Sequence, residues 1–291
     1  MLVGRGPLAK PVNWRVATFG LPPSLLVLPV LIFLGIFYAY PMAAMMWRSV
    51  AEPHLTTAHY RALYSSDIYL LVFWITLRIS LVTTAVTLLL SYPLAYLLAR
   101  LPPARANPLL ILVLLPFWTS ILVRTYAWMV LLGRNGVINQ ALLALGIVAT
   151  PLRLLNTTFA VYVAMVYVLL PFMVLPLYAT LKGIDPALLQ AAASLGARPR
   201  AAFRQVLLPL SLPGVFAGSL LVFILALGFF ITPALVGGPR DLMIAILIEQ
   251  QVEILHWPFA AALAVVLLFI AIAVFALLSR VLGVERVYKR A

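Results

Sequence analysis

The chain has 291 residues, of which 65% are hydrophobic and only 9% charged, and its mean hydropathy is +1.13. That is more apolar surface than a soluble core of this size can hide, so the composition excludes an ordinary water-soluble domain and points to a bilayer. The net charge of +13 does not indicate a nucleic-acid binder, because the basic residues lie between apolar runs rather than on one water-facing surface.

A helix needs about twenty apolar residues to cross the hydrocarbon. The sequence meets this near 21–47, 69–99, 108–132, 157–181, 213–236 and 259–281, which predicts an all-α integral membrane protein with one six-helix transmembrane domain over 1–291. The first run follows Arg5, Lys10 and Arg15, as a secretory signal would. However, the stretch from about Leu21 to Met46 is too long for a signal core, and Pro41, Trp47 and Arg48 close it without a small-residue cleavage site. It reads as a retained span.

Six spans place both termini on one side. Thirteen of the 20 basic residues then fall on that side: the N-terminal three, Arg100, Arg105, Lys182, Arg198, Arg200, Arg204, Arg280, Arg286, Lys289 and Arg290. Arg48, Arg61, Arg134, Arg153 and Arg240 fall opposite, together with Glu52, Asp67, Asp241, Glu249 and Glu253. Basic residues concentrate on the cytoplasmic side of short loops, so both termini are expected to be cytoplasmic. Pro93, Pro116, Pro171, Pro176 and Pro233 interrupt the spans, which fits either kinks that help packing or a water-lined pathway. Gly214 and Gly218 stand at GxxxG spacing and would allow close helix contact. Cysteine is absent, and His54, His59 and His256 lie in short loops without ligand spacing, so no metal site is expected.

Residues 185–214 form the long cytoplasmic segment. Asp185 suits a helix N-cap with Pro186 at the first helical position, and Gly196 sits where a left-handed stop is needed. Pro199 begins a second helix, with Phe203, Val206 and Leu207 on one face and Arg200 and Arg204 on another. Two short helices at the membrane surface are therefore expected. Ala191, Ala192 and Ala193 leave the first helix nearly bare on one side, as a helix must be to enter a cleft on another protein. The alternative is an interfacial helix lying on lipid, for which only Leu188, Leu189 and Leu195 supply large apolar side chains.

The pattern Gln190-Ala-Ala, Gly196, Val206 and Leu208-Pro209 resembles the EAA loop of ABC-type importer permeases, with Gln190 where that family usually has Glu. Arg198 also stands where a small capping residue is often found. Pro116-Phe-Trp-Thr-Ser, Arg124-Thr-Tyr-Ala-Trp128, Gly136-Val-Ile-Asn139, Leu170-Pro-Phe-Met-Val-Leu-Pro176-Leu-Tyr178 and Gly237-Gly-Pro239 resemble the first permease of spermidine/putrescine-type systems. The resemblance implies the type I permease fold and a coupling helix that docks an ATPase through Asp185, Gln190, Ala191, Ala192, Leu195, Gly196, Ala197 and Phe203. It also implies a second homologous permease, an ATP-binding subunit dimer that uses ATP and Mg, a periplasmic solute-binding protein and a bacterial inner-membrane location. Lys10, Lys182 and Lys289 follow Ala, Leu and Tyr, so the chain has no glycine-lysine phosphate loop and is expected to bind no cofactor of its own.

Arg78 and Arg124 are the ionisable residues expected inside the membrane, either facing the pathway or snorkelling outward and pairing with Glu249 or Glu253. Trp118, Tyr126, Trp128, Tyr167, Phe229 and Phe230 collect at the same level, where they fit cation–π recognition of an organic cation or an interfacial belt. A polyamine would also want a carboxylate, and no span contains one, so an anionic or zwitterionic solute stays open. An ATPase-independent secondary transporter or channel would normally carry a midplane carboxylate or an internal repeat, and neither is present. A membrane-embedded enzyme would need clustered His, Asp or Glu in the spans.

Overall fold

The computed structural model describes residues 23–51 and 54–281, and among these every regular element is helical. The terminal basic residues that entered the orientation argument, and Glu52, lie outside the described residues. Two units separate, Met1–Trp47 and Arg48–Ala291. In the first, α1 (Pro23–Leu34) passes through a wide π turn at Gly35–Ala39 into α2 (Tyr40–Ala51), giving an apolar helix that continues past Pro41. Leu25, Leu31, Phe33 and Phe37 are all exposed, as expected of a helix solvated by hydrocarbon.

In the second unit, the short α3 (Ala58–Ser65) leads into α4 (Asp67–Arg100). Next come α5 (Pro103–Trp118), α6 (Ile121–Leu132), α7 (Val137–Ala144) and α8 (Thr158–Lys182). The sequence after α8 forms α9 (Pro186–Ser194) and α10 (Pro199–Ala202), and a wide turn at Phe203–Leu207 joins α10 to α11 (Leu208–Leu227). The chain ends in α12 (Ile231–Val236), α13 (Ile244–Glu253) and α14 (Trp257–Val281).

The core is built on α8. Ala160, Ala164, Met165, Leu169, Met173, Val174 and Leu177 are buried against Ile79, Ala95 and Leu98 of α4 and Val222 and Ala226 of α11. The GxxxG expectation is met here: a β-carbon on Gly214 would stand 2.5 Å from Thr180 Oγ1, and one on Gly218 would stand 2.8 Å from Met173 Sδ. Without side chains at these two positions, α11 lies directly on α8. The face of α4 turned inward carries Thr76, Ser80, Thr83, Thr84, Thr87 and Ser91, all buried. Thr76 and Thr84 donate back to the carbonyls of Val72 and Ser80 at 2.8 and 2.7 Å, whereas Ser80, Thr83, Thr87 and Ser91 have no partner for their hydroxyls.

Long-range bonds fix the direction of each helix. Lys182 Nζ reaches Ala99 O at 3.5 Å, and Tyr92 Oη bonds Ser211 Oγ at 2.9 Å, so the C-terminal ends of α4 and α8 and the start of α11 share one end of the bundle. At the other end, Thr158 donates to Asp241, Ile244 N donates to Thr76 Oγ1 at 2.8 Å, and Tyr69 packs on Phe259. Helices α4 and α8 therefore run parallel, and residues 101–157 must cross back once between them.

That crossing corresponds to the third span expected over 108–132, which Pro116 interrupts. It is α5 and α6, bent by 99° at Thr119–Ser120. Pro116 lacks the N–H of a regular turn, and Thr119 turns both its N–H (3.4 Å) and its hydroxyl (3.1 Å) back onto the Pro116 carbonyl. At Pro93, Pro171 and Pro176 the helices run on. The fifth span also shifts: helix continues from Pro199 to Leu227 and stops at Gly228, leaving residues 231–236 to the separate α12. The second of the two expected surface helices is thus the leading turn of a span. The other expected spans match α4, α8 and α14 closely.

Candidate functional site

At the Lys182 end, helix α9 is capped at both ends, and its Leu189 packs against the core. Asp185 Oδ1 accepts from Ala187 N at 2.8 Å, with Pro186 in the first turn. At the C-terminus, Gly196 N donates to Ala193 O at 2.9 Å and Ala197 N to Ala192 O at 3.0 Å, which requires the left-handed φ of +82° at Gly196. No side chain of α9 is buried. Gln190, Ala191, Gly196 and Leu195 (89% exposed) are uncovered, and Ala192 and Ala197 are half-buried. The small-residue side is bare, as the sequence pattern requires.

Phe203, also in the predicted docking set, lies beyond α9 and is partly exposed. It begins the wide turn and meets Tyr92 of α4 edge-on at 5.9 Å, while Leu207 is buried. Residues 199–207 are thus continuous with α11 and touch α4 through Tyr92. Arg198 contributes its carbonyl, which accepts from Ala201 N at 2.8 Å, and makes no side-chain cap.

The predicted pathway residues do not converge on one site within this chain. Trp128 and Tyr167 meet edge-on at 5.6 Å, and Thr125 bonds Thr232 at 3.1 Å beside them, so α6, α8 and α12 form one patch. Trp118 is 73% exposed at the end of α5, and Tyr126 is exposed on α6. Phe229 packs on the core and Phe230 is exposed, both in the break after α11. Arg124 folds back toward Ser120 O at 3.4 Å, and Arg78 is exposed on α4. Among the described residues neither arginine forms an ion pair, so the expected pairing with Glu249 or Glu253 is not formed.

Those carboxylates lie on α13, which buries Ile244, Ile246 and Leu247 and holds Glu249 and Glu253 one turn apart on its other side. Desolvation, then repulsion from Glu253 and a hydrogen bond with it, push the Glu249 carboxyl above its ordinary value. No group of three or more metal-ligating side chains occurs among the described residues.

Three residues missed as site candidates shape the Asp241 end. Asn139 is fully buried; its Nδ2 donates to Gly133 O at 3.1 Å and Leu152 O at 2.9 Å, and its Oδ1 accepts from Leu152 N at 2.8 Å. Asp241, 2% exposed, accepts from Thr158 Oγ1 and, at 2.9 Å, from Gly238 N. Asn156 adopts a φ of +58° and donates its N–H to Val236 O at 3.0 Å. The available signals were the Gly136-Val-Ile-Asn139 run and the Gly-Gly-Pro turn before Asp241. The loops at 133–136, 150–157 and 237–241 are thereby clamped into one rim.

Residues 91–283 match the family described as binding-protein-dependent transport system inner membrane component. The permease protein PotB of the spermidine/putrescine transport system of Haemophilus influenzae is 39% identical over 251 residues, covering 85% of this chain and 83% of that protein. The inner membrane ABC transporter permease protein YdcU of Escherichia coli is 36% identical over 270 residues, covering 85% of each. Among solved structures, a bacterial alginate ABC transporter in complex with an alginate pentasaccharide-bound periplasmic protein superposes with a TM-score of 0.74 at 18% identity, over 88% of this chain and 92% of that one. That likeness establishes a shared fold.

Proposed function

The chain belongs to the binding-protein-dependent transport system inner membrane components, and from that premise we propose how it works as a permease subunit of an ABC importer. Helix α9 is the element that an ATP-binding subunit dimer receives. The observation that carries this is its exposure: a capped helix with no buried side chain, joined by the turn at 195–198 to a helix that runs from Pro199 into a membrane span and meets α4 through Phe203 and Tyr92. Closure of the ATPase pair would push α9, and α11 and α4 would transmit the movement to the pathway. That partner binds ATP and Mg and hydrolyses the ATP. The charge pattern supports a cytoplasmic Lys182 end, where Arg100, Lys182, Arg198, Arg200 and Arg204 gather, and an external Asp241 end.

A second permease would complete the pathway, and a solute-binding protein would deliver solute to the Asp241 end. The solute class is a polyamine. The relatives named for spermidine and putrescine support this, as do the carboxylates Glu249 and Glu253 on α13 and the Trp128–Tyr167 pair. The unpaired Arg78 and Arg124 favour a second reading, an anionic or zwitterionic solute.

The docking test is affinity purification of wild type beside Gly196→Arg, with mass spectrometry of the partners. An ATPase and a second permease accompanying the wild type, and lost from the variant, are the expected result. Wild-type uptake by Gly196→Arg would remove the docking argument. Saturable uptake of labelled spermidine or putrescine into vesicles tests the solute, and competition by a carboxylate solute alone would establish the second reading.

A further inference from the structure

We infer that the cavity carrying Arg134 and Arg153 is a receptor for carboxylate side chains of the external solute-binding protein. The inference rests on the importer reading above and goes beyond it by naming the contact.

The cavity measures about 520 Å³ and lies at the clamped rim, with Leu132, Pro151, Leu152 and Asn156 among its other lining residues. Its two arginines come from different loops, both are exposed, and among the described residues neither forms an ion pair. A guanidinium is a rigid fork of donors matched to a carboxylate, and two in one concavity form an anion receptor. Burying such a pair between two proteins replaces water with charge-assisted hydrogen bonds, and before contact it steers an acidic partner into register.

The walls suit such a task. Asn139 ties the loop bearing Arg134 to the loop bearing Arg153 through its three hydrogen bonds, and Asn156 ties the latter to α12. The receptor is therefore formed before a partner arrives, and little ordering has to accompany binding. Basic residues are disfavoured in the short external loops of membrane proteins. Three of this chain's few external ones, Arg134, Arg153 and Arg240, nevertheless sit on the three clamped loops. The solute is a poorer occupant, because none of Trp118, Tyr126, Trp128 or Tyr167 lines this cavity.

The test reconstitutes the complete transporter in nanodiscs of phosphatidylethanolamine and phosphatidylglycerol and titrates the solute-loaded binding protein encoded with it, reading ATP hydrolysis. Arg134→Glu with Arg153→Glu should raise the half-stimulating concentration at least tenfold while leaving basal hydrolysis unchanged. Added salt should weaken stimulation of the wild type and have less effect on the variant. If the double variant is not recovered from the membrane, Arg134→Gln and Arg153→Gln, each alone, should give smaller shifts in the same direction. An unchanged half-stimulating concentration overturns the inference. A shift that follows phosphatidylglycerol content instead also overturns it and assigns the cavity to a lipid headgroup. If the binding protein fails to stimulate even the wild type, the importer reading fails along with it.

Discussion

At the Lys182 end, helix α9 is held by bonds between near neighbours, Asp185 to Ala187 and Ala197 to Ala192, and it presents a bare outer side. At the Asp241 end, the bonds that shape the rim join residues 13 positions apart through Asn139 and 83 apart through Asp241 and Thr158. A locally capped helix can move as a unit while keeping its shape. A rim cross-linked through buried polar side chains keeps its shape only while its helices stay in place. The first arrangement suits an element that is pushed, and the second suits one that must present a fixed outline.

The comparison breaks most easily at Asp241. Asp241→Ala removes a buried acceptor from the Thr158 hydroxyl and the Gly238 N–H, and hydrogen bonds to a charged group contribute roughly 1.5–3 kcal/mol each. A loss of about 3–5 kcal/mol in thermal unfolding of the purified chain is expected. Wild-type melting would show that the rim is not held there. Asn139→Ala should cost about 2 kcal/mol, because the Leu152 N–H and two carbonyls lose their partner. Limited proteolysis should then cut first in the 133–157 loops.

Gly196→Ala sharpens the other side of the comparison. A β-carbon there meets nothing within 4 Å, so the left-handed φ is the sole cost, about 1 kcal/mol. The expected result is unchanged insertion and melting within a few degrees, with partial uncoupling of ATPase from uptake. A large drop in melting temperature would mean that α9 is integral to the bundle rather than a separate lever.

The smallest effect concerns Glu249. Its carboxyl is raised in the folded chain, so the folded form holds its proton to a higher pH than the unfolded form does. The stability from this group is present below the ordinary carboxylate value and is lost as pH rises through the raised one. Glu249→Gln should flatten that part of the melting profile, and a profile that keeps its full slope would assign it to another group.

Much of the Lys182 end was legible in the sequence. The order Asp185, Pro186, Gly196 and Pro199 determines caps and stops that depend only on neighbouring residues, and each took its expected position. The exception was the second surface helix, because Phe203–Leu207 continues into α11 through a wide turn that no capping residue announces. The spans behaved alike: hydropathy located α4, α8 and α14, and the sequence marked Pro93, Pro116 and Pro171 equally as interruptions, yet the helix at Pro116 leads into a 99° bend while Pro93 and Pro171 leave theirs running.

The Asp241 end was scarcely legible. Asp241 counted only as an external charge and Asn139 only as part of a run of residues, although both are buried cross-links. By itself the sequence determined the membrane class and the caps of α9, because apolar length and capping are properties of contiguous residues. Tertiary structure decided the parallel course of α4 and α8, the clamped rim and the shared cavity of Arg134 and Arg153. Each of those depends on which distant group a buried polar side chain finds once the helices have packed.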